Sequence, residues 1–419
     1  MDLLAVPGGA AAAAASVTLG NIDLTAPDAY VAGVPHAAFK LLRDTAPVFW
    51  HPDPQGSGFW AVTKYHDLIA VSRDPRTFSS AKRTALFMEA APEDLANMQM
   101  MMLNMDPPRH TKQRSLINKG FTPRMVVQLE PHIREITTKI IDAVATQGSC
   151  DFVTQIAAEL PLQVIAEMMG IPVADRHMIF EWSNQLIGFD DPEYATSLEI
   201  GKQASLNMYM YANQLALERK QNPGDDLVSV LMHAEVDGER LSELEFDLFF
   251  LLLAVAGNET TRNLISGGML ALLEHPAERA KLIADPSKIP TGIEELLRWV
   301  SPVMHFRRTA MRDTEIRGQK IREGDKVVIY YISANRDEEI FPDPYRFDVE
   351  RTPNDHLAFG IGEHFCLGSN LARLEIRVIF EELLRRLPDI ALAGPVARLR
   401  SNFINGIKHM PVRFTPERH

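Results

Sequence analysis

Phe359-Gly360-Ile361-Gly362-Glu363-His364-Phe365-Cys366-Leu367-Gly368 runs directly into an amphipathic stretch that reads as a helix from about Ser369 to Leu387. A cysteine just before a helix N-terminus sits among unpaired backbone N–H groups at the positive end of the dipole. Both stabilise a thiolate. Glycines at 360, 362 and 368 let the backbone turn sharply and approach a flat partner closely. The bland alternative is a structural cysteine in a glycine-rich turn. The other cysteine, Cys150 in Gly148-Ser149-Cys150-Asp151, has no comparable setting.

Outward from this loop, the chain reads as mainly α with a minor β part. Met125–Ala145, Asp151–Met169, Ala204–Gln221 and Ser242–Glu274 carry apolar residues at three- and four-residue spacing. Ser242-Glu243-Leu244-Glu245 has capping-box spacing, and His275-Pro276 should stop the helix it opens. That helix would span about 50 Å. Strand patterns occur at Val48-Phe49-Trp50, Phe59–Val62 and within 306–332. No repeat or linker divides the middle of the 419 residues, so one large domain is expected over 26–419. Residues 1–25, with an Ala run that no Lys or Arg precedes, read as a flexible leader.

Composition narrows the function. Hydrophobic residues at 46% and charged residues at 23% suit a globular core and not a disordered chain. A net charge of −12 argues against a nucleic-acid footprint. Two cysteines exclude a disulfide scaffold or a four-cysteine metal site and suit a reducing cytoplasm. The strongest apolar run, Leu248–Gly257, is half the roughly 20 residues of a membrane span.

Three polar constellations interrupt the apolar pattern. Ala256-Gly257-Asn258-Glu259-Thr260-Thr261 lies at the centre of the long helix, where Gly, Glu and Thr are costly. A Thr hydroxyl bonding the preceding turn would widen the helix there, and Glu259 with Thr260 could relay protons. Glu295 and Arg298 are three apart on one helix face. His110 and Arg114, in Asp106–Arg114, share a face and suit a carboxylate.

A lone thiolate held by backbone donors suits one axial bond to haem iron. The loop resembles the haem-binding loop of the cytochrome P450 family, Phe-Gly-x-Gly-x-His/Arg-x-Cys-x-Gly, at every position. Residues 256–261 are similar to that family's oxygen-activation motif, and Glu295-Leu296-Leu297-Arg298 to its Glu-x-x-Arg element. The resemblance implies a single-domain P450 fold, a triangular helical prism with haem b (iron protoporphyrin IX) between the long helix and the cysteine loop. It implies Cys366 as the metal ligand, with Phe359 and Gly368 shaping its loop. His110, Arg114, Arg308 and His364 would hold the haem propionates. Ala256 and Gly257 would form a groove for dioxygen, Glu259 would deliver protons, and Thr260 would hydrogen-bond the oxygen. Glu295 and Arg298 would lock the core, completed by Arg346 or Arg351; Asn335-Arg336-Asp337 fits the same region.

Within that family the chain looks most like bacterial members that hydroxylate terminal side-chain carbons of steroids or related branched lipids. The stretches that carry this are Leu253–Asn263, Asp190–Tyr194 and Ser401–Pro411. Terpene, alkane, fatty-acid and polyketide oxidation share parts of them. Expected pocket walls are the methionine-rich segment Met98–Met105, position 104 included, together with Val255, Val303–Phe306 and Phe403-Ile404. His305 would bond a substrate oxygen or face solvent. Electrons would come from a ferredoxin and its ferredoxin reductase, docking on Arg109, Lys112, Lys119, Arg373 and Arg377. The competing readings are a peroxide-driven haem enzyme, against which Glu259 and Thr260 argue, and a non-catalytic haem sensor.

Overall fold

The computed structural model describes residues 17–418 apart from 54–55, 90, 119–120, 122, 196 and 236–239. Eight helices frame the site: α1 (Arg109–Asn118), α2 (Pro123–Ala145), α3 (Glu159–Met168), α4 (Arg176–Ile187), α5 (Leu198–Gln221), α6 (Glu243–Glu274), α7 (Ile289–Val300) and α8 (Ser369–Arg386). The capping box forms as its spacing predicts. Ser242 Oγ accepts the Glu245 N–H at 3.3 Å, and Glu245 Oε2 accepts the Ser242 N–H at 3.0 Å. Helix α6 ends at Glu274, two residues before Pro276. It threads the core between α3, α4, α5 and α7, which explains why its centre is apolar on nearly every face.

Two helix starts differ from expectation. Residues Ser149–Asp151 form a strand paired with Pro411–Arg413, so the helix predicted from Asp151 begins later. The ladder satisfies that backbone first, and a π-helical turn at Val153–Ala157 then leads into α3. Helix α5 starts at Leu198, a turn and a half ahead of Ala204.

Five strands form the main sheet: β1 (Val48–His51), β2 (Phe59–Val62), β3 (Phe78–Ser79), β4 (His305–Ala310) and β5 (Lys326–Tyr330), in the order β1–β2–β5–β4–β3. Only the β2–β5 pair is parallel, with Ala61 opposite Val328. The remaining pairs of this sheet are antiparallel, and β5 is buried along its whole length.

The leader expectation divides. Residues 1–16 lie outside the described residues. Within 17–25, Ile22 and Leu24 enter the core beside Phe39 and Phe59, and the Leu24 N–H donates to His51 Nε2 at 3.0 Å. Burying two aliphatic side chains against β2 anchors this stretch, so the ordered body begins before residue 26. Among the described residues, no helix is long and apolar enough to cross a membrane.

Candidate active site

The cysteine loop is shaped by its backbone. The Cys366 N–H donates to Phe359 O at 2.9 Å, closing the turn, and the Gly368 N–H points at the Cys366 sulfur. Gly362 has φ +77°, and a Cβ there would lie 2.8 Å from the Ser72 carbonyl oxygen, so only glycine fits. The Phe359 ring lies beneath the Arg373 guanidinium, 4.6 Å from its centroid, and Arg373 forks onto Glu294 at 2.7 and 2.9 Å. Burial pushes the Cys366 thiol up, while the Gly368 N–H, Arg114 and Arg373 pull it down. Cys150 contrasts: half-buried on its strand, it is held at about 12 by burial and by Asp151.

Four expected donors gather beside this loop. The His110 and His364 rings are 4.3 Å apart. Arg114 donates to Glu363 O at 3.2 Å and Phe365 O at 2.6 Å, latching α1 to the loop. Arg308 is buried on β4 with Nη1 on Arg307 O. His364 Nε2 is 3.1 Å from Met105 O, so one of its ring nitrogens serves the backbone. Burial, then the neighbouring arginines, depress His110 to about 4 and push His364 well below the usual imidazole range. His110 Nε2 is buried without a partner. A crowd of buried donors that lower one another, with an orphaned imidazole nitrogen among them, calls for an anionic ligand. A Cβ built on Gly368 would meet no protein atom within 4 Å, leaving a flat approach to Cys366. These residues fit a haem with its two propionates.

On α6 a single stripe breaks the burial. Ala256 is exposed and Leu252 and Thr260, one turn to either side, are partly so, as is Gly257, whereas Leu253–Val255, Asn258 and Glu259 are covered. Thr260 Oγ1 donates to Ala256 O at 2.7 Å, the back-bond expected to loosen the turn. Gly257 also serves packing: its missing Cβ would lie 2.9 Å from Ile165 Cγ1, so it lets α3 pack close, and Ala256 carries the larger exposure. Glu259, 1% exposed, ion-pairs with Arg262 one turn on, and Arg262 donates to Asn184 Oδ1 of α4 at 2.6 Å. Burial raises the Glu259 carboxyl above its usual range, with Arg262 pulling the other way. Sequence reading missed Arg262 and Asn184. An Arg three residues after Glu in an apolar helix was the available signal.

The lock resolves the choice left open at its third member. Arg298 forks onto Glu295 at 2.7 Å through both Nε and Nη2, with both side chains fully buried. Arg351 Nε lies 3.2 Å from Glu295 Oε2. Arg346 instead points out, 64% exposed beside Asp348, and contributes only its carbonyl to Arg298 and Arg351.

Several wall expectations need correction. Position 104, expected as part of the methionine-rich wall, carries Asn104 in place of a methionine. Nor does Asn104 line a pocket, because it is fully buried by its own hydrogen bonds. Its side chain accepts the Ala85 N–H at 2.7 Å and donates to Met98 O at 2.9 Å, bracing the methionine segment from inside. Val255 is covered by the core, and Ala256 beside it carries the exposure. His305 does not face solvent. It is 1% exposed among Phe87, Tyr330 and Phe403, burial drops it to about 3, and its Nδ1 has no partner. Val303 bridges to Ile404, and the Met304 N–H bonds Phe403 O at 2.9 Å, so these two wall segments are joined. Of the basic set, Arg109, Arg373 and Arg377 are paired with Glu245, Glu294 and Glu130. Lys112 is exposed, and Lys119 lies outside the described residues.

Comparison with known proteins agrees with this geometry. The cytochrome P450 family profile matches residues 290–388. The chain is 46% identical over 405 residues to a steroid C26-monooxygenase of Rhodococcus jostii, covering 94% of this chain and 85% of that protein. It is 45% identical over 412 residues to a methyl-branched lipid omega-hydroxylase of Mycobacterium bovis, covering 96% and 95%. A Mycobacterium marinum cytochrome P450 solved in complex with pseudoionone superposes with a TM-score of 0.89 at 43% identity, covering 96% of this chain and all of that one. A cysteine loop, a buried donor crowd and an interrupted long helix, with this likeness along nearly the whole chain, mean that the protein belongs to the cytochrome P450 family of haem-thiolate monooxygenases.

Proposed function

We propose that the protein hydroxylates the terminal side-chain carbon of a steroid or a related methyl-branched lipid, with electrons from a ferredoxin supplied by its reductase. The observation that carries the oxygenation chemistry is the Leu252–Ala256–Thr260 stripe, an open face at the centre of α6, with a buried carboxyl one residue away. The substrate class rests on the printed activities of the Rhodococcus and Mycobacterium relatives.

Haem held by a thiolate supplies activation of dioxygen and insertion of one oxygen atom into a C–H bond. Cys366 would be its ligand: burial raises the free thiol, and the Gly368 N–H, Arg114 and Arg373 work against that rise on the side of the thiolate. His110, whose Nε2 has no partner, would hold the propionates together with Arg114, Arg308 and His364. Ala256 leaves room for dioxygen. Thr260 Oγ1, anchored on Ala256 O, positions a proton donor at that face. Glu259 exchanges its Arg262 partner for a proton at Oε2 and passes it toward Thr260. The covered flanks of α6 exclude surplus water. Phe403, Phe306 and the partly buried methionines at 98, 100 and 101 form an apolar, adaptable wall for an elongated lipid. The exposed edge with Arg109 and Lys112 beside the cysteine loop receives the acidic ferredoxin. Thiolate ligation suits work in the reducing cytoplasm.

The test is a spectral-shift titration of the holoenzyme with sterols, methyl-branched fatty acids, terpenes and linear alkanes, followed by product analysis with a ferredoxin and reductase. Steroids or branched lipids should displace the sixth ligand most tightly and gain oxygen at the chain terminus. Tighter shifts with terpenes or alkanes, or internal hydroxylation, would overturn the substrate assignment.

A further inference from the structure

Asn335-Arg336-Asp337 stands out in the sequence, and the chemistry above uses none of Arg336. Arg336 lines a cavity of about 280 Å³ away from the cysteine loop, bounded by the end of α6, the end of α7, residues 33–36 and the strand Ala397–Arg398. The guanidinium belongs to a residue that is only 2% exposed. Its Nη2 donates to Trp299 O at 2.7 Å, and it lies 4.8 Å from the Trp299 ring centroid. Its Nε and Nη1 have no partner. Neighbouring buried arginines are matched: Arg43 with Glu338, and Arg298 with Glu295. Among the described residues, Arg336 has no such carboxylate.

The rest of the wall repeats the imbalance. His36 contributes a buried Nδ1 that also lacks a partner. Arg398, half-buried, reaches the same space. Glu274 is the one acidic residue on the wall among the described residues, and it faces Arg398. Burial and Arg298 depress Arg336 to about 9, and burial with Arg336 and Arg43 keeps His36 well below its usual range, as expected where cations crowd without a counter-charge. Buried donors of this kind find partners in folded proteins, and a buried guanidinium finds an anion.

We propose that this cavity is a binding site for a small oxyanion, held by Arg336 and Arg398 with His36 as a further donor. The volume admits a phosphate-sized ion with a few waters and excludes a lipid. The site stands apart from the oxygenation centre, so occupancy stabilises the fold where α6, α7 and the N-terminal segment meet.

The test is thermal unfolding of the holoenzyme titrated with inorganic phosphate, against sodium chloride at matched ionic strength. Phosphate should raise Tm saturably, by about 2–4 °C at saturation, where chloride does not. Arg398→Gln, a half-buried position whose loss leaves the core intact, should move the phosphate midpoint about tenfold higher. Glu274→Gln, which removes the repelling carboxylate, should move it about threefold lower. A phosphate response no larger than that of chloride, or an unchanged midpoint in Arg398→Gln, would overturn the proposal.

Discussion

The cysteine loop and the centre of α6, which the proposed mechanism joins in one reaction, are built by opposite means. Between Phe359 and Gly368 the shape is held chiefly by main-chain groups: the Cys366 N–H on Phe359 O, the Gly368 N–H on sulfur, a left-handed Gly362, and loop carbonyls gripped by Arg114. In α6 the backbone is an ordinary helix. The proposed role there would depend on paired side chains, Glu259 with Arg262 one turn on, Arg262 with Asn184 of α4, and Gly257 with Ile165 of α3. A contiguous backbone-made site tolerates distant change and fails completely when its one reactive atom is lost. A side-chain-made site degrades in steps, one partner at a time.

The largest effect should follow Cys366→Ala, which removes the red-shifted carbonyl band of thiolate-ligated haem and all monooxygenase activity. Cys150→Ala, altering a thiol paired into a strand, should leave the band intact; equal loss in both would end the assignment of roles to the two cysteines.

Glu259→Gln should lower turnover by about 10²-fold while the thiolate signature stays, because proton supply is separate from ligation. Thr260→Ala should keep oxygen consumption but divert it to peroxide. A fully coupled Thr260→Ala enzyme would show that the open stripe of α6 is only a packing feature. Arg262→Gln sharpens the contrast, since loss of its bond to Asn184 should slow the same step without touching the carbonyl band.

The smallest effect concerns the lock that supports the cysteine side. Arg351→Gln leaves buried Glu295 short of a cation and should cost about 2 kcal/mol in chemical denaturation. Arg346→Gln, at an exposed position, should cost less than about 0.5 kcal/mol. The reverse order would contradict the geometry in which Arg351 reaches Glu295.

Much of the molecule was readable in one dimension where the cause is local. The capping box at Ser242, the stop before Pro276, the strands at 48–50 and 59–62, and the helix from Ser369 all follow from nearest-neighbour chemistry. Failures arose where a distant segment intervened. Asp151 left its helix because Pro411–Arg413 pairs with it, Ile22 and Leu24 docked because β2 offers a face, and His305 was enclosed by three rings from other elements.

The order of residues alone singled out Cys366, the polar break in the apolar pattern of α6 and the Glu295–Arg298 pair, because each lies within a few positions of its partners. Only the tertiary structure decided that Arg351 completes the lock, that Gly257 serves packing while Ala256 opens the groove, and that Arg336 is left without a carboxylate. Those outcomes depend on which side chains meet after some tens to hundreds of residues of chain have folded back, and burial then sets the cost of every charge that lacks a partner.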